Sequence, residues 1–499
     1  IGYNYVLSGV QAAHLTDRIL RKGEDPKDIP FQKYSGLEMM VNRDIARNLN
    51  ITIPENILNS AEIVVNKGEV SRKVKRKKIG IVQFAIEPNV EKAKSGIIAA
   101  LEDNGYFDGV NIDIVYKNAN ADFPTITSIM QDLMRRNVDI IVPLSTPVVQ
   151  ASVQQAHNST RQKVVFTYIY DPYRIGVAKD PTDHLPNMTG VACFPPIEEM
   201  LDLIKEMFPD RNKVGVVWNS SEANSESVLL KARAHVKTTG QELIEVTVSN
   251  PTEVLDASRS LAAKGVEVFL NPGDNTLNVS YDSFAKVAFE NLIPLFSIDP
   301  AFIDNHTIAA LGPNYYVTGY EGGQVIARVL KGEKITEIPI TQTKPTEFFI
   351  NLDVARAEGL SISEKFIKQA DNVIDSQKEL AVPPVEKPEK KMAILQFSDN
   401  YILDEIVDGI LDRFNESGIL TEYQLSVDRM NSQGDFGIAH TIAQDIVRKK
   451  YDYIMTISTP SLQVIANANK KIDHIFGGVT SPYKAGVADT PEIHQENLT

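Results

Sequence analysis

Cysteine is nearly absent from this chain: Cys193 is the single one in 499 residues. One thiol excludes an internal disulfide and any cysteine-rich zinc site. A chain this long needs neither, since at about 100–200 residues per domain it divides into two to four domains with cores of their own. Long apolar runs are also missing. No stretch approaches the roughly 18 residues of a membrane-spanning helix. Basic charge is in deficit, with 51 Lys and Arg against 65 Asp and Glu and a net charge of -14, which argues against nucleic acid as a partner. The sequence holds no G-x-S-x-G elbow, no G-x-x-x-x-G-K-[ST] loop, no G-x-G-x-x-G and no H-E-x-x-H. Its 8 histidines are scattered, so neither a catalytic residue, a metal site nor a cofactor is expected.

What the chain has is repetition. Lys78-Ile-Gly-Ile-Val-Gln-Phe84 recurs as Lys391-Met-Ala-Ile-Leu-Gln-Phe397, and the correspondence runs without a gap to Ser145-Thr146-Pro147 against Ser458-Thr459-Pro460. Of the 73 positions from 78 to 150, 20 are identical in the later copy. After a deletion of three residues Pro172 falls on Pro482 and Asn187 on Asn497. The N-terminus repeats another part of the same unit: Gly2, Asn4, Tyr5 and Gly9 align with Gly312, Asn314, Tyr315 and Gly319. After one inserted residue Asn42-Arg-Asp-Ile-Ala-Arg47 aligns with Asn351-Leu-Asp-Val-Ala-Arg356. Such self-similarity is sought before local structure because it decides the architecture. It reads as 1–66, the C-terminal part of one module; 67–77, a linker; 78–375, a complete module; 376–390, a second linker; and 391–499, the N-terminal lobe of a following module. The flanks together lack the equivalent of 190–310, so they are expected to leave sheet edges unpaired and not to form a second complete module. The basic run Arg72 to Lys78 is read as solvated linker.

Within the complete module, short apolar strands alternate with amphipathic helical patterns. Strands are expected at 79–84, 110–116, 140–144, 164–168, 214–218, 243–248, 268–271 and 295–298, with helices such as 90–104, 125–136, 197–207, 225–239 and 252–264 between them. This alternation predicts an α/β fold of parallel sheets covered on both faces. About 300 residues exceed one core, which points to two doubly wound lobes.

Function in such folds gathers where strands turn into helices. Four turns there have suitable chemistry. Ser145-Thr146-Pro147 reads as a hydroxyl N-cap with a proline at the first helical turn, whose free N–H groups suit a carboxylate. Ile169-Tyr170-Asp171-Pro172, Asn219-Ser-Ser-Glu222-Ala-Asn224-Ser225 and Pro272-Gly273-Asp274-Asn275 each read equally as a plain cap or turn.

The ordered set Gln83-Phe84, Ser145-Thr-Pro147, Asp171-Pro172, Asn187-x-Thr-Gly190, Glu222-x-Asn-Ser225, Gly273-Asp-Asn275, Lys331-Gly-Glu333 and Asn351-x-Asp-x-Ala355 resembles the ABC-transporter substrate-binding proteins of the type I periplasmic fold. The resemblance is to the group that includes tryptophan- and phenylalanine-binding members. It implies two lobes joined by three crossovers, with lobe 1 at about 78–188 and 308–340, lobe 2 at about 189–307 and 341–375, and the Thr189-Gly190 step as a hinge strand. It further implies closure on a small ligand, an ABC permease or a fused membrane receptor as partner, and a periplasmic or cell-surface location. For an amino acid, Ser145 and Thr146, followed by Pro147, would take the carboxylate. Asp274 would take the ammonium, with Glu222 or Asp299 as alternatives. Phe84, beside Ala85, with Tyr168 and Tyr170, would offer ring faces, although these aromatics read equally as core. Asp171, Asn224, Ser225 and Asn275 complete the candidate set. The later copy has Thr480-Ser481 where the complete module has Tyr170-Asp171, so the two copies should differ in what they bind. The competing classes are a cytoplasmic effector-binding regulator, for which neither linker carries a helix-turn-helix, and an α/β enzyme.

Overall fold

The computed structural model describes residues 2–32, 37–61, 63–72, 76–158, 162–379 and 389–499. The chain divides into two compact units, Arg76–Pro383 and a second made of Ile1–Lys75 with Pro384–Thr499.

The first unit contains two sheets. One has six strands in the order Thr341–Gln342, Met188–Ala192, Lys163–Ile169, Ile140–Pro143, Lys77–Gln83, Ile112–Asn118, with every pairing parallel. The other has seven, Glu242–Val248, Lys213–Asn219, Val268–Asn271, Leu295–Ser297, Ala309–Pro313, Thr346–Asn351, Asn372–Ile374, where Ala309–Pro313 and Thr346–Asn351 run antiparallel. Central strands such as Ile140–Pro143 and Val268–Asn271 are buried along their whole length, as a parallel sheet covered on both faces requires. All eight expected strands are present.

The lobe boundaries fall later than expected. Met188–Ala192 pairs with Lys163–Ile169, which puts Thr189 and Gly190 inside the first sheet rather than at a hinge. A side chain at Gly190 would strike the Phe166 carbonyl oxygen, so this glycine serves close strand packing. Ala309–Pro313 belongs to the second sheet and Thr341–Gln342 to the first. The three crossovers therefore follow Ala192, Pro313 and Gln342, a few residues beyond the expected 188, 307 and 340.

Tyr315–Leu330 is a helix despite carrying Gly319, Gly322 and Gly323, which lower helix propensity by about 1 kcal/mol each. Their use lies in packing. The helix crosses Pro88–Asp103 so closely that a Cβ on Gly319 would collide with the Ala93 carbonyl, and one on Gly96 with that of Tyr316. This crossing ties the chain returning from the second lobe onto the first.

The second unit repeats the arrangement with pieces from opposite ends of the sequence. Its parallel sheet runs Leu425–Asn431, Lys390–Gln396, Tyr453–Ile457, Asp473–Gly477. Helix Tyr5–Lys22 packs on Tyr401–Glu416, with Gly9 against the Ile406 carbonyl and Gly409 against that of Val6. The Phe31 N–H donates to the Pro491 carbonyl at 2.9 Å, as the Ile340 N–H donates to Pro181 at 2.8 Å in the first unit. The flanks, expected not to form a second complete module, come together as one compact unit in which the tail-type segment docks on the head-type segment and forms a lobe.

The linker expected at 67–77 is partly structured. Lys67 and Gly68 both have positive φ and turn the chain so that Glu69–Arg72 pairs antiparallel with Ile63–Asn66, as a two-residue hairpin does. In the second linker Ser376–Glu379 forms a short helix. The linker readings at 73–75 and 380–388 lie outside the described residues.

Gly319→Ala tests the close crossing. Alanine should gain helix propensity yet destabilise the chain by about 1–3 kcal/mol, because the added carbon meets backbone that has to move. The urea midpoint reads the change, and an unshifted or raised midpoint would contradict it.

Candidate functional site

Strand Ile140–Pro143 ends in Leu144 and Ser145. Ser145 sits at φ 75 and its counterpart Ser458 at φ 98, a left-handed backbone that costs a non-glycine residue about 1–3 kcal/mol. Both copies keep it. The turn is held by the Ser145 N–H donating to the Tyr168 carbonyl at 3.1 Å, and Tyr168 is itself at φ 58. Helix Thr146–Asn158 starts here, so its first N–H groups point out of the helix end, where an anion is stabilised. Among the described residues the buried Ser145 hydroxyl has no hydrogen-bond partner.

Tyr168 and Tyr170 project from the neighbouring strand end. Tyr168 donates to Glu87 Oε1 at 2.7 Å, and Tyr170 donates to Asp299 Oδ1 at 3.2 Å, across the lobes. The Tyr315 hydroxyl also donates to Asp299 Oδ1, and Asn278 donates to Oδ2 at 2.9 Å. Tyr168 and Tyr315 meet edge to face, 4.9 Å between ring centroids.

The second lobe contributes Glu222, Asp274 and their donors. Glu222 accepts from the N–H and side-chain amide of Asn275 and from the N–H and hydroxyl of Thr276, at 2.6–3.1 Å. Asp274 is fully buried and caps the helix Asn275–Val279, accepting from the Leu277 N–H at 2.8 Å. Its other oxygen accepts from the Asn219 N–H at 2.8 Å and the Ser225 hydroxyl at 2.6 Å. Gly273, at φ 73, leaves space that any side chain would take from the Tyr170 hydroxyl.

Between these groups lies a narrow pocket, with a free volume of about 10 Å³, lined by Ser145, Thr146, Tyr168, Tyr170, Asn224, Gly273 and Asn275. Six of the fourteen candidate residues thus converge on it, and eight do not line it. Phe84 packs its ring 5.0 Å from Phe123 in the core of the first lobe, with Ala85 beside it; for these two the core alternative describes their place. Pro147 lines a separate outer groove with Phe123 and Gln150. Asp171 holds the N–H groups of Tyr173 and Arg174 at 3.0 and 3.1 Å, a local turn. Glu222, Ser225, Asp274 and Asp299 stand behind the lining as its support. Asp274 in particular has both oxygens engaged by donors of its own lobe, which corrects the expectation that it faces the cleft freely.

Glu87 was not expected. It stands one residue before helix Pro88–Asp103, where a capping side chain would serve, yet it makes no cap bond. Its second oxygen, Oε2, is buried without a hydrogen-bond partner among the described residues. The Asn224 carbonyl oxygen and both polar atoms of Asn89 are also buried and unpartnered. Native proteins leave few such groups. Among the described residues none of the four buried carboxyl groups around the pocket, Glu87, Glu222, Asp274 and Asp299, forms an ion pair with a cationic side chain. Burial pushes the Glu87 carboxyl up to about 8, with Asp299 and Glu222 adding to the rise and Tyr168 and Asn278 opposing it. Asp299 is raised by burial, and Asp274 by burial and then by Glu222.

Two doubly wound lobes, three crossovers and a polar pocket at facing strand ends define a bilobed α/β binding protein of the type I periplasmic fold. A family model for ABC transporter substrate binding proteins matches residues 1–65, 78–374 and 391–499, and the chain belongs to this family. It is 34% identical over 312 residues to the tyrosine-binding protein of Clostridioides difficile (strain R20291), covering 62% of this chain and 89% of that one. Among solved structures it resembles the ABC domain in complex with L-Trp from Streptococcus pneumonia, with a TM-score of 0.57, 25% identity, and coverage of 60% of this chain and all of that one. A conserved domain protein from Vibrio cholerae matches with the same TM-score at 26% identity, again over 60% of this chain and all of that one.

Two measurements follow from these positions. Asp274→Ala should lower stability by about 1–3 kcal/mol, because it removes a cap and leaves buried donors unpaired; chemical denaturation reads it, and an unchanged midpoint would contradict the assignment. Glu87 keeps its proton in the folded state from its ordinary 4.5 up to about 8. Over that window the folded chain binds more protons than the unfolded one, so the stability of the ligand-free protein should fall as pH rises through it. Asp274 and Glu358, both raised to about 7 by burial, share part of that slope, so Glu87→Gln should reduce it in urea titrations at pH 5 and 8, and an equally steep slope in the variant would refute it.

Proposed function

We propose that the Arg76–Pro383 unit binds a single amino acid with an aromatic or other apolar side chain and releases it unchanged. The observation that supports this most is the polarity of the pocket. One side presents a helix start with the Ser145 hydroxyl, unpartnered among the described residues, suited to a carboxylate, and behind the lining stand buried carboxyl groups with no cation, which favour an ammonium. The tyrosine-binding relative and the L-Trp complex agree with this reading. Ser145 and Thr146 take the carboxylate, Asn224 and Asn275 close over it from the second lobe, and Tyr168 and Tyr170 border the side chain.

Because lining residues come from both lobes, a bound ligand favours the closed arrangement by contacts that only that arrangement makes. Residues 78–375 are the complete binding module, and the flanking segments belong to neighbouring modules of a tandem array. The ligand is delivered to an ABC permease or read by a fused membrane receptor, at an extracytoplasmic location, periplasmic or on the cell surface. The later copy has Asn400, Gly478 and Thr480 where the module has Glu87, Tyr168 and Tyr170, so it does not share the ligand.

A thermal-shift screen of the twenty amino acids should show L-tyrosine, L-tryptophan or another apolar member raising the melting temperature. Ser145→Ala should reduce that shift, and mass analysis should recover the ligand intact. No shift with any amino acid, or a converted product, would reject the proposal.

A further inference from the structure

We propose that Glu87 is the carboxylate that receives the ligand's ammonium group and that it releases a proton as the ligand enters. The inference rests on the amino-acid reading above and deepens it. Of the four buried carboxyl groups around the pocket, three are occupied on both oxygens: Glu222 by four donors, Asp274 by three, and Asp299 by Tyr315, Tyr170 and Asn278. Glu87 accepts from Tyr168 on Oε1, and among the described residues no group stands at hydrogen-bond distance from Oε2, although the residue is only 6% exposed; the Asn278 amide, engaged by Asp299, is the other group that favours its carboxylate.

The repeat shows what Glu87 does not do. Its counterpart Asn400 caps its own helix, accepting from the Ile402 N–H at 2.8 Å and more weakly from the Leu403 N–H at 3.4 Å. Glu87 occupies the same position and bonds away from the helix, to a tyrosine that lines the pocket. Helix Pro88–Asp103 also packs on Pro300–Phe302 of the second lobe, so its first residue stands where the lobes approach.

The groups around Glu87 make a cation welcome and an anion costly. Tyr168 faces it from the strand Lys163–Ile169, Asp299 from the turn before Pro300–Phe302, and Glu222 from the start of helix Ala223–Thr239. Tyr315, at the start of the helix packed on Pro88–Asp103, lies behind Tyr168. These four are acids or phenols, and the Asn278 amide, from helix Asn275–Val279, also faces it and favours the carboxylate. Held up to about 8 chiefly by burial, Glu87 is mostly protonated at pH 7 in the ligand-free protein. An ammonium arriving beside Oε2 favours the carboxylate, so the acid proton passes to solvent while the ligand keeps all three of its own. One proton leaves per ligand bound, and affinity should rise about tenfold per pH unit below the Glu87 titration and level off above it.

The test is calorimetry on the full chain at pH 6.5 in phosphate and in Tris, with L-tyrosine and L-tryptophan as probes and 3-(4-hydroxyphenyl)propionate as the analogue without an amine. Wild type should bind at least one of the two amino acids, with a buffer-dependent heat equivalent to about one released proton. Glu87→Gln should bind that amino acid about 30-fold or more weakly, lose the proton release, and bind the des-amino analogue as wild type does. Tyr168→Phe, which removes a donor to the carboxylate, should move the pH at which affinity levels off upward. Unchanged affinity and proton release in Glu87→Gln would overturn the proposal, as would equal loss for the amine and des-amino ligands, the mark of a merely structural role. An amino acid bound with no proton release would overturn it and leave the function standing. Wild type that binds neither amino acid would overturn both.

Discussion

A carboxyl group withdrawn from water costs several kcal/mol unless a cation or a full set of donors meets it. Four of them lie around the pocket of this protein, with no cationic partner among the described residues. Glu222, Asp274 and Asp299 are met by donors, and those donors fix the shape of the second lobe's face: the Asp274 carboxylate joins the end of one strand, the start of one helix and the cap of another. Glu87 accepts one close hydrogen bond, from Tyr168, with the Asn278 amide the other group favouring its charge. The imbalance gives the pocket its sign, and in a family of solute-binding proteins the sign selects the part of a ligand that can enter there.

The pocket depends on keeping two lobes in register, and here glycine matters more than any large side chain. Gly96 and Gly319 let two helices cross at backbone contact, which sets Glu87, at the start of one, near Tyr315, at the start of the other. The flanking segments use the same device at Gly9 and Gly409. Tail-type and head-type segments that are neighbours in no single module thus carry matching surfaces, because the repeat copied both halves of the contact.

Most of the fold is legible in the sequence, since Val- and Ile-rich runs such as 140–144 and 268–271 announce buried parallel strands. Helix Tyr315–Leu330 is not, because three glycines depress its local signal and only tertiary packing reveals their purpose. The crossovers are displaced by a few residues, as short strands such as Met188–Ala192 take their lobe from pairing rather than from pattern. At the site, Ser145 and Thr146 are visible through the Ser-Thr-Pro start of a helix. Asp274 misleads because a turn carboxylate reads alike whether it caps or binds. Glu87 escapes notice for the opposite reason: a glutamate before a proline looks like an ordinary helix start, and the lack of a cap bond shows only in three dimensions. Its substitution by Asn400 in the repeat is the one signal that could have singled it out.

The central claim is that the pocket holds an amino acid by its two charged ends. A crystal structure of the full chain with L-tyrosine tests this most directly. The account predicts the ligand carboxylate within hydrogen-bond distance of the Ser145 hydroxyl and the Thr146 N–H, with the ammonium nitrogen on the carboxyl side of the pocket. A ligand seated instead in the outer groove beside Phe123 and Gln150, or bound in the reverse sense with its carboxylate toward the buried acids, would contradict it.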